Sequence, residues 1–591
     1  MEYKLFPIPQ DIIYDEGTIS LLPQVNLIID KNLDRYTKNR IMNLLKKFEI
    51  NYVDNTQISV EMSNLIVKIS KHPSKHYDGY RLIITESKIQ LLGDDTNAVF
   101  YGLATLEQIL SQSEKLCVHQ LVIQDFSDVK RRGFIEGYYG NPWTDEERID
   151  LVRFGSELKM NQYVFAPKDD PYHNEKWREL YPKNRLTDIE NLARVGNETK
   201  TKFVWTIHPF MHDPIRFDRN YISDLRIIEK KFDQLMLIGV REFGILADDA
   251  PWPEHGDNDY IKLMKDLSNF LKKRKKNYPD ITTDMIFVPY YYYSNGDEDG
   301  GHYDLQELNH GLPNNVHLVV TGGKTFGVVS NEFLDTLKEN LTLKGSEYHS
   351  VQMWINWPVN DGSRNNLIMG GAKHYLKNNV DSHKIYGIML NPMMHAEASK
   401  TAIFVNAAYS WHLWNNDRIR TIVEHNAFNF VENHTFESSK GSKALENLSQ
   451  HMQFNGAMPD LNLESPKLDP KLQEFLKNFD EQTTTREEIL KLKSEFSKIK
   501  YDALYFKNYG QTNLRNEMLP WIDNAIDQMQ SLELVCDYLI TNNREFLNSA
   551  EEIYQESKTH TFNYLKEVKR AEFGSQSLAP FLKRILTIAN K

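Results

Sequence analysis

The middle of the chain repeats one pattern, in which a short apolar run ends in small or polar residues and a stretch with helical spacing follows. Runs this apolar are typical of strands buried on both faces, as in a parallel sheet. Eight such units closing on themselves form a (β/α)8 barrel, and the span from about 130 to 420 fits the usual ~250 residues of that fold plus loops. The predicted strands are GFIEG (133–137), YVFA (163–166), FVWTI (203–207), FGILA (243–247), MIFVP (285–289), HLVVT (317–321), VQMWI (351–355) and IYGIML (385–390).

The chain on either side of this repeat has a different pattern. Residues 1–127 combine apolar or alternating runs such as YRLIITES with the helical run NAVFYGLATLEQIL, which predicts a small α/β domain. Residues 425–591 carry apolar positions at steps of three and four, which predicts a helical bundle that includes AEEIYQESKTHTFNYLKEV at 550–568. We therefore predict an α/β protein of three domains, with a TIM-type barrel over residues 128–424 between these flanks.

The composition of the chain limits the kinds of molecule that it can bind and the compartment in which we expect it. The chain of 591 residues has a formal net charge of -12, which argues against nucleic acid or an anionic membrane as the main partner. No run approaches the ~18 apolar residues that a membrane span needs, and the first residues lack the charged and apolar regions of a secretory signal. We expect a cytoplasmic protein, although a secreted chain after processing would have the same sequence. The sequence does not indicate an oligomeric state.

Metal-binding patterns are weak. The two cysteines, Cys117 and Cys536, fall in separate predicted domains, which excludes a disulfide framework or a cysteine-rich metal site. His208 and His212 have a four-residue spacing, but Pro209 works against a helix there and no glutamate accompanies them. We expect neither a metal nor a cofactor.

Three further segments resemble known motifs without completing them. Residues 295–306 resemble an EF-hand loop but carry Gln306 where the bidentate glutamate belongs, so an acidic surface loop is the simpler interpretation. GGKT (322–325) resembles a phosphate loop, yet Leu318 occupies the position of its first glycine. The basic run at 271–280 is typical of the solvated end of a helix.

The fourth predicted strand ends in two adjacent aspartates, within the stretch FGILADDAPW (243–252). Neighbouring carboxylates repel each other, which costs stability unless the pair has a use. An Asp-Asp pair after a strand is also typical of a helix N-cap with a solvated neighbour. Here APWP follows Asp248 and Asp249, and the reacting groups of a (β/α)8 barrel lie at this end of its strands. We therefore interpret the pair as catalytic.

Carboxylates, amides, a lysine and many aromatic residues follow the other strands. This mixture suits a neutral polyol with an apolar ring face, which is a sugar, and it contains no phosphate cradle for a nucleotide. Packing of the tyrosine run against the barrel and a surface ion pair at Lys168 are the alternative interpretations. The residues after the strands are Gly137, Tyr138 and Tyr139; Lys168, Asp169 and Asp170; His208 and His212; Asp248 and Asp249; Tyr290 to Tyr293; Gly322, Gly323 and Lys324; Asn356, Trp357 and Asp361; and Asn391.

Five motifs occur in order between about 130 and 400: RRGFIEGYYGNPWT, NQYVFAPKDDPYHNEKWRELYP, the aspartate pair, WINWPVND and LNPMMHAEASK. Together they closely resemble the family 84 glycoside hydrolases, which include O-GlcNAcases and bacterial β-N-acetylglucosaminidases, some of them labelled hyaluronidases. The first region, through DGYRLIITES and FYGLATLEQIL, is similar to the α/β domain that precedes the barrel in hexosaminidases. The C-terminal region resembles the family only in being helical.

The resemblance implies a retaining exo-β-N-acetylglucosaminidase in which the substrate's own 2-acetamido oxygen is the nucleophile and an oxazoline is the intermediate. It implies that Asp248 accepts the acetamide N–H and that Asp249 protonates the leaving oxygen and later takes a proton from water. An ionised Asp248 would favour the protonated form of its neighbour, as this role requires. The implied substrate is a GlcNAc-containing glycan or glycoprotein.

The resemblance also implies how the pocket binds the sugar. The Gly137 backbone and the Lys168 ammonium would bind hydroxyls, with Tyr139 beside them, and Tyr292 would hydrogen-bond the acetamide oxygen. Trp354 would form the wall of the acetamide pocket, and Asn356 would orient the reacting group. Asp361 and Asn391 would bind the distal hydroxyls.

The chain departs from the family pattern in two places. It carries Ala247 and Ala250 in place of a bulky aromatic before the pair and a β-branched residue after it, and its loop after the fifth strand has a tyrosine run and the acidic sequence GDEDGG. The resemblance therefore does not specify the shape of the aglycone side. The alternatives are a hyaluronidase-type hydrolase, a carbohydrate-binding barrel with little activity, a metal-dependent hydrolase and a family 20-type hexosaminidase. The last of these would want an Asp-Glu pair, which the sequence does not have.

Overall fold

The computed structural model describes residues 2–294, 305–342, 348–458 and 463–589 of the chain. Its first region is a sheet covered by helices, as the sequence predicts. The elements are β1 (Asp11–Ser20), β2 (Gln24–Ile29), α1 (Arg35–Lys47), β3 (Asn51–Asp54), β4 (Asn64–Ile69), β5 (Tyr77–Ile84), β6 (Lys88–Gly93), α2 (Thr96–Ser111) and β7 (Cys117–Ser127). The strands form one mixed sheet in the order β1-β7-β5-β6-β4-β2-β3, and the apolar face of α2 is buried against it.

A closed barrel of eight parallel strands follows in the described residues, which confirms the predicted fold. Each strand pairs with the next in the chain, and the last pairs with the first, with Leu390 opposite Phe134. The predicted strands agree with the observed ones to within a few residues at each end. The barrel elements are β8 (Arg131–Ile135), α3 (Asp145–Glu157), β9 (Gln162–Phe165), α4 (Lys183–Thr199), β10 (Lys202–Ile207), α5 (Tyr221–Leu237), β11 (Glu242–Leu246), α6 (Asp257–Arg274), β12 (Met285–Val288), α7 (Leu305–Gly311), β13 (Val316–Val320), α8 (Asn331–Leu341), β14 (Val351–Pro358), α9 (Ala372–Tyr375), β15 (Ile385–Asn391) and α10 (Ala396–Trp411).

The strands are apolar throughout because both of their faces are buried. Side chains alternate along a strand: in β9, Val164 belongs to the small cluster inside the barrel, while Tyr163 and Phe165 belong to the large core under the helices. The interior is therefore filled with side chains, and the polar groups that remain available lie at the strand ends.

The last region is helical with one exception. Its elements are α11 (Asp417–Asn433), α12 (Lys440–Ser449), α13 (Asp469–Asp480), α14 (Arg486–Tyr509), α15 (Thr512–Thr541), α16 (Arg544–Ser557), β16 (Thr561–Tyr564), β17 (Glu567–Arg570) and α17 (Leu578–Ala589). The prediction of a helix over 550–568 is wrong beyond Ser557, because β16 and β17 pair as an antiparallel hairpin. The segment from Thr559 to Phe562 is rich in β-branched and aromatic residues, which favour strand over helix.

The predicted boundary between the second and third domains falls inside α11, which runs across residue 424. The division into 1–127, 128–424 and 425–591 stays our proposal. Both cysteines are free. Among the described helices, none combines the length and the apolar character that a membrane crossing requires.

Candidate active site

The aspartate pair directly follows β11, at the carboxyl-terminal end of the barrel. Asp248 is buried, with 2% of its surface exposed, whereas Asp249 is exposed. Asp249 has a φ of 55°, a left-handed backbone conformation that aspartate tolerates better than most residues. The two neighbours therefore lie in different environments, which is the condition for two carboxylates to have different roles.

Asp248 is paired with a lysine from the neighbouring part of the barrel. The Lys168 ammonium, after β9, lies 3.3 Å from Asp248 Oδ2. Burial pushes the pKa of Asp248 upward, but Lys168, with help from His208, outweighs burial and holds that pKa below its ordinary value. Asp248 Oδ1 is buried and has no hydrogen-bond partner among the described residues. This oxygen is an acceptor without a donor.

His208 supports the backbone of Asp248. Its Nε2 lies 2.7 Å from the Asp248 carbonyl oxygen, so this nitrogen carries the donated proton. Burial lowers the pKa of His208, and the ring is almost wholly buried, whereas His212 is exposed. The two histidines therefore lie in different environments, one buried and one exposed. Within the described ranges, no group of three or more His, Cys, Asp or Glu side chains is arranged to hold a metal ion.

Asp249 is contacted by a tyrosine from the loop after β8. The Tyr139 hydroxyl donates to Asp249 Oδ2 at 2.9 Å, and the Tyr139 backbone N–H donates to both oxygens of Asp361, at 3.1 and 3.2 Å. Partial burial of the hydroxyl, reinforced by Asp249, raises the pKa of Tyr139 to about 12, so the hydroxyl keeps its proton although the residue as a whole is exposed. Burial also raises the pKa of Asp361, to about 6. One residue thus links two of the predicted carboxylates.

The inner wall of the site is made of interlocked aromatic and amide groups. The Trp354 indole N–H and the Asn391 amide both donate to Asn356 Oδ1, at 2.8 and 3.0 Å. Asn391 Oδ1 in turn accepts the Gly137 N–H at 3.2 Å. A Cβ at Gly137 would lie 2.7 Å from the Trp354 ring, so only glycine fits there. Tyr292, buried, stacks on Trp354 at 5.8 Å between ring centroids.

These contacts modify two of the expected roles. The Asn356 amide also donates to the Thr325 carbonyl at 2.7 Å, so its side chain is occupied with holding the wall. The Gly137 N–H is likewise already donated, which leaves the Gly137 carbonyl as its group for a sugar hydroxyl. The binding roles of both residues stay predictions.

The two alanines that flank the aspartate pair, where the chain departs from the family pattern, belong to the core. Ala247 and Ala250 are both buried in the large core. Close by, the Trp252 ring packs against Tyr291 at 5.0 Å between centroids. The EF-hand-like segment lies largely outside the described residues, which exclude 295–304.

Some residues of the site were not predicted from the sequence. The sequence places His208 among the residues after the strands, but its contact with the Asp248 carbonyl leaves no pattern in the sequence. Tyr564 of the hairpin, whose hydroxyl donates to the Tyr139 carbonyl at 3.2 Å, is 425 residues away along the chain. Contacts of this kind are visible only in the folded protein.

Known proteins resemble this chain in fold and in part of their sequence. A solved structure titled "Structure of CpGH84D" is 32% identical over 100% of this chain and 99% of that one, with a TM-score of 0.88. Another, titled "Structure of CpGH84B", is 22% identical over 99% and 100%, with a TM-score of 0.80, and shows the same fold. The Protein O-GlcNAcase of Mus musculus is 25% identical over 299 residues, which are 49% of this chain and 30% of that protein. The chain thus matches about a third of the length of this curated relative.

The barrel, the carboxylate pair at its strand ends and the aromatic wall define a protein of the glycoside hydrolase class. A family model described as beta-N-acetylglucosaminidase matches residues 132–449, and one described as glycosyl hydrolase family 20, domain 2, matches residues 2–126. The chain belongs to the β-N-acetylglucosaminidase family, family 84 of the glycoside hydrolases.

Proposed function

We propose that the chain is a retaining exo-β-N-acetylglucosaminidase that works by substrate-assisted catalysis through an oxazoline intermediate. The observation that carries the proposal is the buried Asp248 Oδ1, which has no donor among the described residues. A buried carboxylate oxygen without a donor is costly to the free protein. The N–H of a substrate's 2-acetamido group would supply that donor.

In the first step the acetamide oxygen attacks the anomeric carbon, and the bond from that carbon to the leaving oxygen breaks. Asp249 gives its proton to the leaving oxygen. The acetamide N–H lies on Asp248, so the positive charge that develops on the nitrogen forms beside a carboxylate. Asp248 suits this role because Lys168 keeps it ionised in spite of its burial.

In the second step water attacks the anomeric carbon and Asp249, now ionised, takes the proton from that water. The oxazoline ring opens and the acetamide is restored. The anomeric carbon is inverted twice, so the released sugar keeps the β configuration. The exposure of Asp249 supports this role, because the residue must reach both the leaving group and bulk water.

The remaining groups would hold the sugar. Trp354 and Tyr292 offer a flat apolar wall for the acetamide methyl, and burial raises the pKa of Tyr292, so its hydroxyl stays a donor for the acetamide oxygen. Lys168 has an ammonium near Asp248 for a hydroxyl, and Asp361 with Asn391 would bind the distal hydroxyls. We propose a terminal β-linked GlcNAc on a glycan or glycoprotein as the substrate.

The test uses aryl β-N-acetylglucosaminides with a poor leaving group (4-methoxyphenyl) and a good one (2,4-dinitrophenyl). Asp249→Asn should lose at least about 100-fold in kcat/KM on the poor leaving group and far less on the good one, which needs little protonation. Asp169→Asn is the matched control, because Asp169 is an exposed aspartate at the end of another barrel strand, β9. Equal activity of Asp249→Asn and the unmodified chain on both substrates would refute the assignment.

The configuration of the first product tests retention. Proton NMR during hydrolysis should show β-GlcNAc before it mutarotates, whereas initial α-GlcNAc would exclude the oxazoline route. A thiazoline mimic of the oxazoline should bind far more tightly than free GlcNAc.

A further inference from the structure

The hairpin of the helical region, β16 and β17, lies against the barrel. Its pairs run from Thr561 opposite Arg570 to Tyr564 opposite Glu567. At its base, Phe562 packs against Trp521 of α15 at 4.6 Å and against His395 of the barrel at 5.6 Å between ring centroids. Trp521 is fully buried and donates its indole N–H to the Asn365 carbonyl at 2.8 Å. The base of the hairpin is therefore anchored to both regions.

The tip of the hairpin is bound by the loop that follows β8. The Asn141 amide donates to the Asn563 carbonyl at 2.8 Å, and Asn141 Oδ1 accepts the Leu565 N–H at 2.5 Å. Two residues earlier in the same loop, the Tyr139 carbonyl accepts the Tyr564 hydroxyl at 3.2 Å. Three hydrogen bonds thus join the tip to a segment of three barrel residues.

The turn of the hairpin has an unfavourable backbone conformation. Leu565 has a φ of 53°, in the left-handed region that glycine and asparagine adopt more readily. Such a conformation persists where surrounding contacts determine it, and it is often found at functional sites. Here the contact that holds the Leu565 N–H is Asn141, so the strain is located at the junction with the barrel.

The loop that the hairpin holds is the one that contacts the carboxylates. Tyr139 donates its hydroxyl to Asp249 and its N–H to Asp361. The Arg364 guanidinium, from the loop after β14, lies over the Tyr564 ring at 5.1 Å from its centroid. Tyr564 is thus in contact with residues from two barrel loops at the rim of the site.

We propose that Tyr564 and Asn141 are positioning residues, through which the hairpin holds Tyr139 so that its hydroxyl stays on Asp249. This inference rests on the proposed function, because it assigns the acid–base role to Asp249. The consequence is specific: loosening the hairpin should impair protonation of the leaving group rather than binding of the sugar.

Tyr564→Phe is the first test, since it removes one hydroxyl and keeps the ring over Arg364. It should lower kcat/KM by about 3- to 10-fold on the 4-methoxyphenyl glycoside, as expected for one lost hydrogen bond, and by less than about 2-fold on the 2,4-dinitrophenyl glycoside. KM for the two substrates should hardly change. Tyr554→Phe in α16 is the matched control, which removes a hydroxyl from the same region and should leave both rates unchanged.

A double-mutant cycle with Tyr139→Phe shows whether the effect passes through Tyr139. In the Tyr139→Phe background, Tyr564→Phe should have no further effect on the ratio of the two rates. Additive losses, or equal losses on both leaving groups, would overturn the inference. Asn141→Ser, which breaks the same junction from the barrel side, should reproduce the ratio found for Tyr564→Phe, and an unchanged ratio would likewise overturn it.

The two proposals fail differently. An unmodified chain that cleaves neither glycoside contradicts the proposed function itself. An unmodified chain that cleaves both, together with a Tyr564→Phe variant that equals it on both, contradicts only the role of the hairpin.

Discussion

The inner wall and the rim of the candidate site are built in different ways. The wall consists of Asp248, Lys168, Trp354 and the two asparagines, which are largely buried and come from the strand ends of the barrel. The rim consists of Asp249 and Tyr139, which are exposed, together with a hairpin from the far end of the chain. The wall would recognise one invariant sugar, whereas the rim would face whatever the sugar is attached to. Burial and a fixed network suit the first task, and loops suit the second.

The wall and the rim also differ in how their charged groups are paired. In the wall, Lys168 and Asp248 oppose the effect of burial on each other: the carboxylate raises the pKa of the lysine and the lysine lowers that of the carboxylate. Asp361 joins the two parts, since it accepts the Tyr139 N–H and would bind the sugar; burial raises its pKa to about 6, so this group changes its charge within the working range of many enzymes. We therefore expect variants of the wall to affect good and poor leaving groups alike, variants of Asp249 and its contacts to depend on the leaving group, and variants of Lys168 and Asp361 to change the pH dependence.

The largest effect is expected from Asp248→Asn. The amide presents no charge to the developing oxazolinium, so kcat/KM should fall by about 100- to 1000-fold, and by similar factors for good and poor leaving groups. Steady-state kinetics on the two aryl glycosides measures this. A leaving-group dependence like that of Asp249→Asn would break the distinction between wall and rim.

A smaller effect is expected from Lys168→Met. Without the ammonium, burial dominates and the pKa of Asp248 rises, so the ionised form is lost at a higher pH as the solution is acidified. The acid limb of kcat/KM should move to higher pH, and activity near about pH 5 should fall by about 10- to 100-fold relative to the parent. Lys168→Arg keeps the charge and serves as the control. An acid limb that does not move in Lys168→Met would remove the lysine from this role.

The smallest effect is expected from Asp361→Asn. In the parent, Asp361 ionises as the pH rises through about 6, and an ionised carboxylate accepts hydrogen bonds from sugar hydroxyls more strongly than a neutral one. KM should therefore fall a few-fold across that range, and the Asn variant should give a flat profile. The pH dependence of KM for the 2,4-dinitrophenyl glycoside is the measurement. A parent profile that is flat around pH 6 would contradict the assignment.

Most of the fold could be predicted from the sequence because strands buried on both faces leave long apolar runs. FGILA and VQMWI carry that signal without help from partners distant in the chain. The hairpin at Thr561–Arg570 could not be predicted in the same way. It is short and half-exposed, and its stability depends on Trp521 and His395, which no local pattern shows. The helical spacing that continues from α16 masked it.

The candidate site, like the fold, could be predicted from the sequence only in part. Asp248 and Asp249 could be recognised because two adjacent carboxylates after a buried strand are unusual, and Lys168 because it follows another strand of the same barrel, β9. Their different environments could not be predicted, since these depend on the φ of Asp249 and on the position of His208. The same holds for Asn356, whose three hydrogen bonds show that it supports the wall.

The contact between Tyr564 and Tyr139 has a consequence for synthesis on the ribosome. The residues it joins are 425 positions apart, so at ordinary elongation rates the first is made roughly 20 to 85 seconds before the second. The pocket itself is complete only once Asn391 has been made, so for roughly the last 9 to 35 seconds of that interval the nascent barrel can hold an assembled pocket whose rim is not yet secured.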